Sequence, residues 1–283
     1  MVDRFGDYLV VQINTAGMER MKDEVVAALD KTLKPLAIVL RNDSPSRETE
    51  GLERYVEVAA GTLPESTQFR EQDTLFTVPL QGGQKTGWFF DQADNRARMQ
   101  RYVGGKRVLD VFSYLGAWGV QAATHGATEV TCVDASADAL ELVTANAASN
   151  NASDKVSTLH GDAFEVMRDL RSERRKFDVV MIDPPAFIKK RKDLKQGTIA
   201  YRRINQLALQ LVEKDGIVIS SSCSHHMSEA GLLGECQQAA RATDRFIQLL
   251  ERGQQGPDHP VHPAIPETAY LKSLYFRVLP TVC

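Results

Sequence analysis

Acidic residues and one thiol stand at the ends of apolar runs along this sequence, and their spacing suggests a shared site. Asp110 lies in Arg107-Val108-Leu109-Asp110-Val111, followed by Phe112-Ser113-Tyr114-Leu115-Gly116-Ala117-Trp118-Gly119. A buried strand, a tight loop and a helix start opened by Gly116 and Gly119 form the entry of a doubly wound α/β sheet, whose ligands sit at the carboxyl ends of the strands. A dinucleotide loop would put glycines at positions 112 and 114, letting the backbone approach a pyrophosphate. The aromatic residues found there disfavour a nicotinamide dinucleotide and tolerate a ligand without phosphate; a plain strand-to-helix turn is the other reading. Asp134 closes the run Val130–Val133, 24 positions beyond Asp110. A carboxylate there either accepts hydrogen bonds from both hydroxyls of an adenosine ribose or caps the next helix. In Gly161-Asp162-Ala163-Phe164 the acid is placed to take the exocyclic amine of an adenine, or again to serve as an N-cap. Asp183-Pro184-Pro185-Ala186-Phe187 ends a fourth apolar run. Two prolines cannot continue a sheet ladder and they fix φ, so the chain leaves the strand rigidly with Asp183 at the active edge. Cys223 follows the strand Gly216–Ile219 at that same edge. A cysteine there is either a small buried hydrophobe or a nucleophile, and its surroundings must decide.

Alternating β and α elements from residue 107 onward supply the frame for these residues. Strand 107–112, helix 117–125, strand 129–134, helix 136–149, strand 156–160, a helix near 163–171 and strand 177–182 are followed by helix 199–213, strand 216–222, helix 228–243, strand 245–250 and a closing strand over Tyr270–Leu279. That rhythm predicts a mostly parallel sheet covered on both faces. Residues 1–75 read differently. A strand over Tyr8–Ile13, a helix over Met18–Leu33 stopped by Pro35, a strand over Leu36–Leu40, a polar loop over Arg41–Leu52 and short β runs over Arg54–Phe76 make a small α+β unit. Gln81–Gly87 reads as a linker or hairpin loop, and Trp88–Gln92 leads into a helical run carrying Asn95, Arg96 and Arg98. The domains expected are therefore 1–75 and 76–283.

The composition is ordinary for a globular chain, with 43% hydrophobic and 25% charged residues. A net charge of −3 gives no global basic signature, so nucleic acid would have to be met by a local patch. No apolar run is long enough to span a membrane, and the N-terminus MVDRFGDYLV is not a signal peptide. The cysteines (Cys132, Cys223, Cys236, Cys283) are scattered with no C-x-x-C pair, which argues against a zinc site or a disulfide scaffold and fits a reducing cytoplasm. No metal is expected.

The ordered set D-V-F-S-Y-L-G-A-W-G, V-D-A-S, G-D-A-F, D-P-P-A-F and S-S-C-S, with T-G-W-F-F-D-Q-A-D-N-R at 86–96 and D-H-P-V-H-P-A-I-P-E-T-A-Y-L-K at 258–272, resembles class I S-adenosylmethionine-dependent methyltransferases. More narrowly it resembles the bacterial 23S rRNA cytosine-5 methyltransferases that carry a PUA domain ahead of a small central domain. The resemblance implies a Rossmann-like seven-stranded methyltransferase sheet, with residues 1–75 as the central domain and a possible RNA contact. The departure is at the front: the PUA domain is missing, and Met1 falls about where that central domain begins. The implied cofactor is S-adenosylmethionine, lying over loop 112–119. Asp134 with Ala135 would hold the ribose, and Asp162 with Ala163 the adenine. Asp110, Ser113, Tyr114 and Gly116 would surround the methionine part, and Gln92, with Arg96, would close the site; Asp183 borders the cofactor as well as the base. The implied partner is 23S rRNA, with a homodimer also admitted by the family, and the implied compartment is the cytoplasm.

In that frame Cys223 is the expected nucleophile. Carbon 5 of cytosine is a poor nucleophile until a thiolate adds to carbon 6 and makes it enamine-like. Asp183 would bind the base edge, and His225 and His226 are neighbours of the thiol without an assigned role. Cys132, inside a strand, reads as core, while Cys236, on a helix, and the terminal Cys283 lack a catalytic setting. Pro184, Pro185, Phe187, Lys189, Lys190 and Arg191 are expected on the substrate side. Arg168, Arg171, Arg174, Arg175 and Lys176 before the fourth strand, and Lys189–Lys192, Lys195, Arg202 and Arg203 after it, suit phosphate contacts around a flipped base, or are simply solvated. Loop 186–197 is long and charged and is expected to order on RNA. Two other functions fit the residues. Methylation of an exocyclic amine of adenine or guanine uses D/N-P-P-Y/F without a cysteine, although here the aromatic residue comes one place late. An RNA-binding or assembly protein with a relict cofactor pocket is the non-catalytic alternative.

Overall fold

The computed structural model of the protein describes residues 1–81 and 86–280, so most of the expected 81–87 linker, and Cys283, lie outside the described residues. The chain divides into two compact units, Met1–Phe89 and Phe90 onward. The expected boundary at 75/76 falls instead inside a hairpin. β5 (Ser66–Glu71) pairs with β6 (Thr74–Pro79) over its whole length, from Ser66↔Pro79 to Glu71↔Thr74. Trp88 belongs with that hairpin, its ring 4.6 Å from that of Phe76 and its Nε1 donating to Glu71 at 2.9 Å.

The first unit carries β1 (Val2–Phe5), β2 (Tyr8–Val11), α1 (Ala16–Glu19), α2 (Lys22–Leu33), β3 (Ala37–Asn42), α3 (Ser46–Thr49) and β4 (Tyr55–Gly61) ahead of the hairpin. Strands β1–β4 form one sheet in sequence order, and β5–β6 a separate ribbon. The helix expected over 18–33 is two helices, interrupted where Met21 leaves helical geometry, and it ends with Lys34 in the left-handed region at φ 47° just before Pro35. The polar stretch after β3 hides a buried clamp. Arg47 on α3 donates to the Glu53 carbonyl at 2.8 Å and to Glu19 at 2.9 Å, and covers the Tyr55 ring. These partners and a ring face explain how an arginine stays inside.

The second unit comprises α4 (Ala93–Val103), β7 (Arg107–Val111), α5 (Ala117–Thr124), β8 (Glu129–Asp134), α6 (Ala137–Ser149), β9 (Val156–His160), α7 (Ala163–Ser172), β10 (Phe177–Ile182), α8 (Leu194–Leu211), β11 (Val212–Ser222), α9 (Glu229–Arg241), β12 (Arg245–Gly253) and β13 (Lys272–Pro280). Its sheet is seven-stranded in the order β12-β13-β11-β10-β7-β8-β9. Strands β7 to β11 run parallel, and β13 is antiparallel to both β11 and β12. This is the mixed α/β, Rossmann-like architecture expected. The strand order reverses between β7 and β10, so a crevice opens at their carboxyl ends. Leu109, Val111, Val180 and Ile182 on these central strands are fully buried. Helices cover both faces, which is why the strands read as continuous apolar runs. Each such side chain contributes roughly 1.5–3 kcal/mol relative to exposure. No helix among the described residues is long and apolar enough to cross a membrane.

Two helix starts are capped by serine side chains. The Ser136 hydroxyl accepts from Ala139 N at 3.2 Å, and that of Ser228 from Gly231 N at 3.0 Å. Each cap is worth about 1 kcal/mol. α8 departs from expectation, starting at Leu194 rather than 199. A 3-10 turn at Arg191–Asp193, with Asp193 accepting from Lys190 N at 3.1 Å, feeds directly into it. The irregular stretch after Asp183 is correspondingly shorter than the charged loop 186–197 anticipated. Gly197 is what lets α8 lie against this stretch: a Cβ there would sit 2.4 Å from Ile188 Cγ1 and 2.7 Å from the Phe187 carbonyl. Gly197→Ala is therefore expected to destabilise the protein by about 1–3 kcal/mol through overpacking, despite alanine's better helix propensity. Chemical unfolding of the two proteins checks this.

Candidate functional site

The loop after β7 keeps a glycine-like path without glycine at two positions. Phe112 and Tyr114 have φ of 67° and 48°. The backbone of the next strand holds them there: Phe112 N and Ser113 N both donate to the Val133 carbonyl, at 2.9 and 3.0 Å. Tyr114 N donates to Asp134 Oδ2 at 2.8 Å, while Asp134 Oδ1 accepts from Ser136 N at 2.9 Å. Asp134 thus braces the loop from the end of β8 and stays half-buried beside the exposed Ala135.

Asp110 lies beneath this loop. Its Oδ2 accepts from Gly119 N at 2.8 Å, and a Cβ on Gly119 would stand 2.4 Å from Cys132 Sγ and 3.0 Å from that same oxygen. Gly119 is therefore a contact of strand with helix, and Cys132 is core as expected. Asp110 Oδ1 and Ser113 Oγ are buried with no hydrogen-bond partner in the structure. Burial pushes the Asp110 carboxyl up to about 8; the Gly119 N–H opposes this, and Asp183 and Asp134 add to it.

Asp162 does cap α7, its Oδ1 accepting from Phe164 N at 2.9 Å and Glu165 N at 3.1 Å. It is exposed and Ala163 is buried, and β9 is tied to β8 by Gly161 N donating to the Asp134 carbonyl at 3.0 Å. Capping and ligand binding are compatible here, because the cap uses one oxygen. The whole cradle offers acceptors: Asp134 and Asp162 for hydroxyls and an amine, and the orphaned Asp110 and Ser113 atoms beneath. Loop 112–119 contains no lysine or arginine for a phosphate. That donor and acceptor set fits an adenosyl group attached to a positively charged, phosphate-free tail.

Asp183 stands across the crevice from this cradle. Its Oδ1 accepts from Gln92 Nε2 at 2.9 Å and its Oδ2 from Trp118 Nε1 at 3.1 Å. Gln92 is oriented in turn by Asn95 Nδ2, which donates to Gln92 Oε1 at 2.7 Å. Burial raises the Asp183 carboxyl to about 6; the Trp118 bond, the buried Arg96 and Gln92 oppose the rise, and Asp91 adds to it. Pro184 is buried and Pro185 exposed. Phe187 packs inward, with ring centroids 4.9 Å from Tyr201, 6.0 Å from Phe164 and 6.2 Å from Phe112. It spaces the turn against α8 instead of presenting a free stacking face.

Cys223 is half-buried one residue past β11, the strand beside β10, whereas Cys132 and Cys236 are fully enclosed. Its neighbours are clamped. Ser222 Oγ donates to Tyr201 Oη at 2.8 Å, and Tyr201 Oη and Ser224 Oγ share a hydrogen bond at 2.9 Å. Ser224 Oγ also accepts from Ile188 N at 3.2 Å, which ties the turn after Asp183 to the thiol's own turn. Lys272 Nζ donates to the Ser224 carbonyl at 2.7 Å. His225 and His226 are exposed, the His225 ring 5.6 Å from that of Tyr270.

The basic residues do not form one cluster. Arg174, Arg175 and Lys176 precede β10 and so lie at the amino edge of the sheet, opposite the crevice. Arg175 is there paired to Glu129 at 2.9 Å, and Arg171 donates to Gln210 at 2.9 Å. The group after Asp183 (Lys189, Lys190, Arg191, Lys192, Lys195) is on the crevice side, and all five are exposed. Arg202 is paired to Glu235, and Arg203 lies over the Phe164 ring. Trp118, Tyr201 and Lys272 were not singled out by the motifs. A lysine inside the apolar run Leu271–Phe276 was the signal available for the last of them.

The family model for S-adenosylmethionine-dependent methyltransferases matches residues 23–277. The ribosomal RNA large subunit methyltransferase I of Klebsiella pneumoniae subsp. pneumoniae is 36% identical over 280 residues, covering 98% of this chain and 70% of that protein. The enzyme of the same name from Escherichia coli O157:H7 is also 36% identical, with 98% and 71% covered. Among solved structures, SMU.776 complexed with SAH superposes with a TM-score of 0.84 at 23% identity, over 98% of this chain and 70% of that one. The M. jannaschii tRNA m1G37 methyltransferase gives 0.70 at 18%, over 99% and 72%. At these identities the structures speak for the fold alone.

Asp110 makes a testable pH dependence. Its native pKa is raised to about 8 by burial, above an unfolded value of about 3.9. The stability it contributes is full below about pH 4 and is lost as pH rises through about 8. Asp110→Asn keeps an acceptor for Gly119 N but cannot ionise. The melting temperature of the variant minus that of wild type should therefore climb between pH 4 and 8 and level off above; a difference independent of pH would contradict this origin.

Proposed function

This chain belongs to the S-adenosylmethionine-dependent methyltransferase family, and we propose that it methylates carbon 5 of a cytosine in 23S ribosomal RNA through a covalent adduct on Cys223. The observation that carries the reading is the placement of two residues at one edge of the sheet. Cys223 and Asp183 leave adjacent parallel strands at their carboxyl ends, joined by the Ile188–Ser224–Tyr201 hydrogen bonds. The large-subunit ribosomal RNA named for the relatives supports the substrate class, and a ribosomal substrate puts the reaction in the cytoplasm.

Asp134, Ala135 and the second oxygen of Asp162 would hold the adenosine, with Asp110, Ser113, Tyr114 and Gly116 around the charged tail and Gln92 closing the site. S-adenosylmethionine bound there supplies an electrophilic methyl for carbon 5 of the base. Asp183, ionised at neutral pH with its carboxyl near 6, is suited to accept from the cytosine amine. Gln92 and Trp118 fix its two oxygens so that the base edge meets a carboxylate that cannot rotate. The Cys223 thiolate adds to carbon 6, forming the S–C6 bond and pushing electron density to carbon 5. After methylation, loss of the carbon 5 proton and cleavage of the S–C6 bond return the thiolate and the aromatic ring. A base inside a helix is out of reach of this crevice, so the nucleotide must be flipped or unpaired. Lys189, Lys190 and Arg191 beside the mouth supply phosphate contacts that position but do not select.

The test is transfer of labelled methyl from S-adenosylmethionine to deproteinised 23S rRNA, comparing wild type with Cys223→Ser. Loss of about a thousandfold or more in rate, with 5-methylcytosine as the wild-type product, is expected. An unchanged rate with an N-methylated product would move the reading to an exocyclic amine. Cofactor binding without transfer to any RNA would favour a non-catalytic RNA-binding role.

A further inference from the structure

Lys272 is 7% exposed, an unusual place for an ammonium. On β13 it is the register partner of Ser222, the residue before Cys223. Its Nζ donates to the carbonyls of Ser224, the residue after Cys223, at 2.7 Å and of Tyr270 at 2.8 Å. Both partners are neutral, and no carboxylate pairs with Lys272 among the described residues. A buried cation without an anion is disfavoured, and folds that keep one place an opposite charge nearby. The side chain bracketed by its two anchoring points, Ser222 and Ser224, is Cys223.

We propose that the missing anion is the Cys223 thiolate, and that Lys272 is a positioning residue that keeps this sulfur ionised at neutral pH. The inference rests on the proposed role of Cys223 for its catalytic consequence, but it concerns the ionisation of the sulfur itself. Burial lowers the Lys272 ammonium to about 8, and a charge on Cys223 pushes it back up, the reciprocal effect expected of such a pair. The other groups facing the sulfur do not replace it. Tyr201 and Tyr270 have hydroxyls raised by burial and remain neutral phenols. Asp91, which accepts from Tyr270 Oη at 2.7 Å, and Asp183 carry charge of the wrong sign. His225 and His226 lie out on the exposed turn. A fixed cation also suits the elimination step, because it stabilises the thiolate as it leaves carbon 6.

The test reads the thiol directly, without RNA or methyl transfer: the rate of Cys223 alkylation by iodoacetamide over a pH series, with Cys223→Ser subtracting the other thiols. Wild-type Cys223 should titrate below the free value of about 8.5. Lys272→Met should raise that pKa by about one unit or more, slowing alkylation at pH 7 about tenfold, and Lys272→Arg should restore part of it. A wild-type thiol titrating at or above 8.5 overturns the proposal even if the methionine variant does not fold. So does a folded Lys272→Met protein, judged by circular dichroism and S-adenosylhomocysteine binding, whose Cys223 titrates as in wild type. The two readings separate cleanly. A Lys272-dependent thiolate in a protein whose Cys223→Ser variant still methylates RNA leaves this inference standing and removes the carbon 5 mechanism. The reverse pair of results removes only Lys272.

Discussion

The carboxylate of Asp183 is the joint on which the second unit's site depends. Gln92 reaches it from the turn ahead of α4, Trp118 from α5, and its own backbone leaves β10 through two prolines. Three separate segments are thereby fixed to one planar group at the point where the strand order reverses. Removing either donor would leave a buried carboxylate oxygen short of a partner, a penalty of about 1–3 kcal/mol, and would free the group to turn. The rigidity extends further through Ile188, Ser224 and Tyr201, so that the acid and the thiol on neighbouring strands share one hydrogen-bonded frame. A site built this way is pre-organised before any ligand arrives.

Charge and strain around that joint point the same way. Asp110, Asp134 and Asp183 lie close enough that Asp183 and Asp134 both raise the pKa of Asp110. Left-handed backbone at Phe112 and Tyr114 is unfavourable for non-glycine residues, by about 1–3 kcal/mol each. Both costs suit the proposed cradle, which would meet a cationic tail and wrap an adenosine with side chains where a dinucleotide site would use bare glycine. The fold tolerates them because Val133 and Asp134 anchor three consecutive N–H groups of the loop.

Much of this was legible in the sequence because it comes from local rules. The β/α alternation set the sheet, and strand ends placed Asp110, Asp134 and Asp183. The features that escaped were set by packing between distant segments. The start of α8 was obscured by its charges, and only Gly197 against Phe187–Ile188 explains where it begins. The basic residues on either side of β10 look contiguous in sequence yet stand at opposite edges of the sheet, because the full length of that strand lies between them. Phe187 reads only as a residue on the substrate side, and its packing against Tyr201 from α8 shows in the structure alone. Lys272 in an apolar strand gives no hint of its partners, because those are carbonyls supplied by a turn and by the strand's own approach.

The central claim, that Cys223 and Asp183 act on one pyrimidine, is tested most directly with an RNA fragment carrying 5-fluorocytosine at the modified position. Fluorine on carbon 5 cannot be lost as a proton is, so an adduct formed at carbon 6 has no route to release. The account predicts a protein–RNA species that survives denaturation, forms only with S-adenosylmethionine present, and maps by peptide mass spectrometry to Cys223 bearing a methylated fluoropyrimidine. Methylated RNA recovered free of protein, or an adduct at another residue, would contradict it.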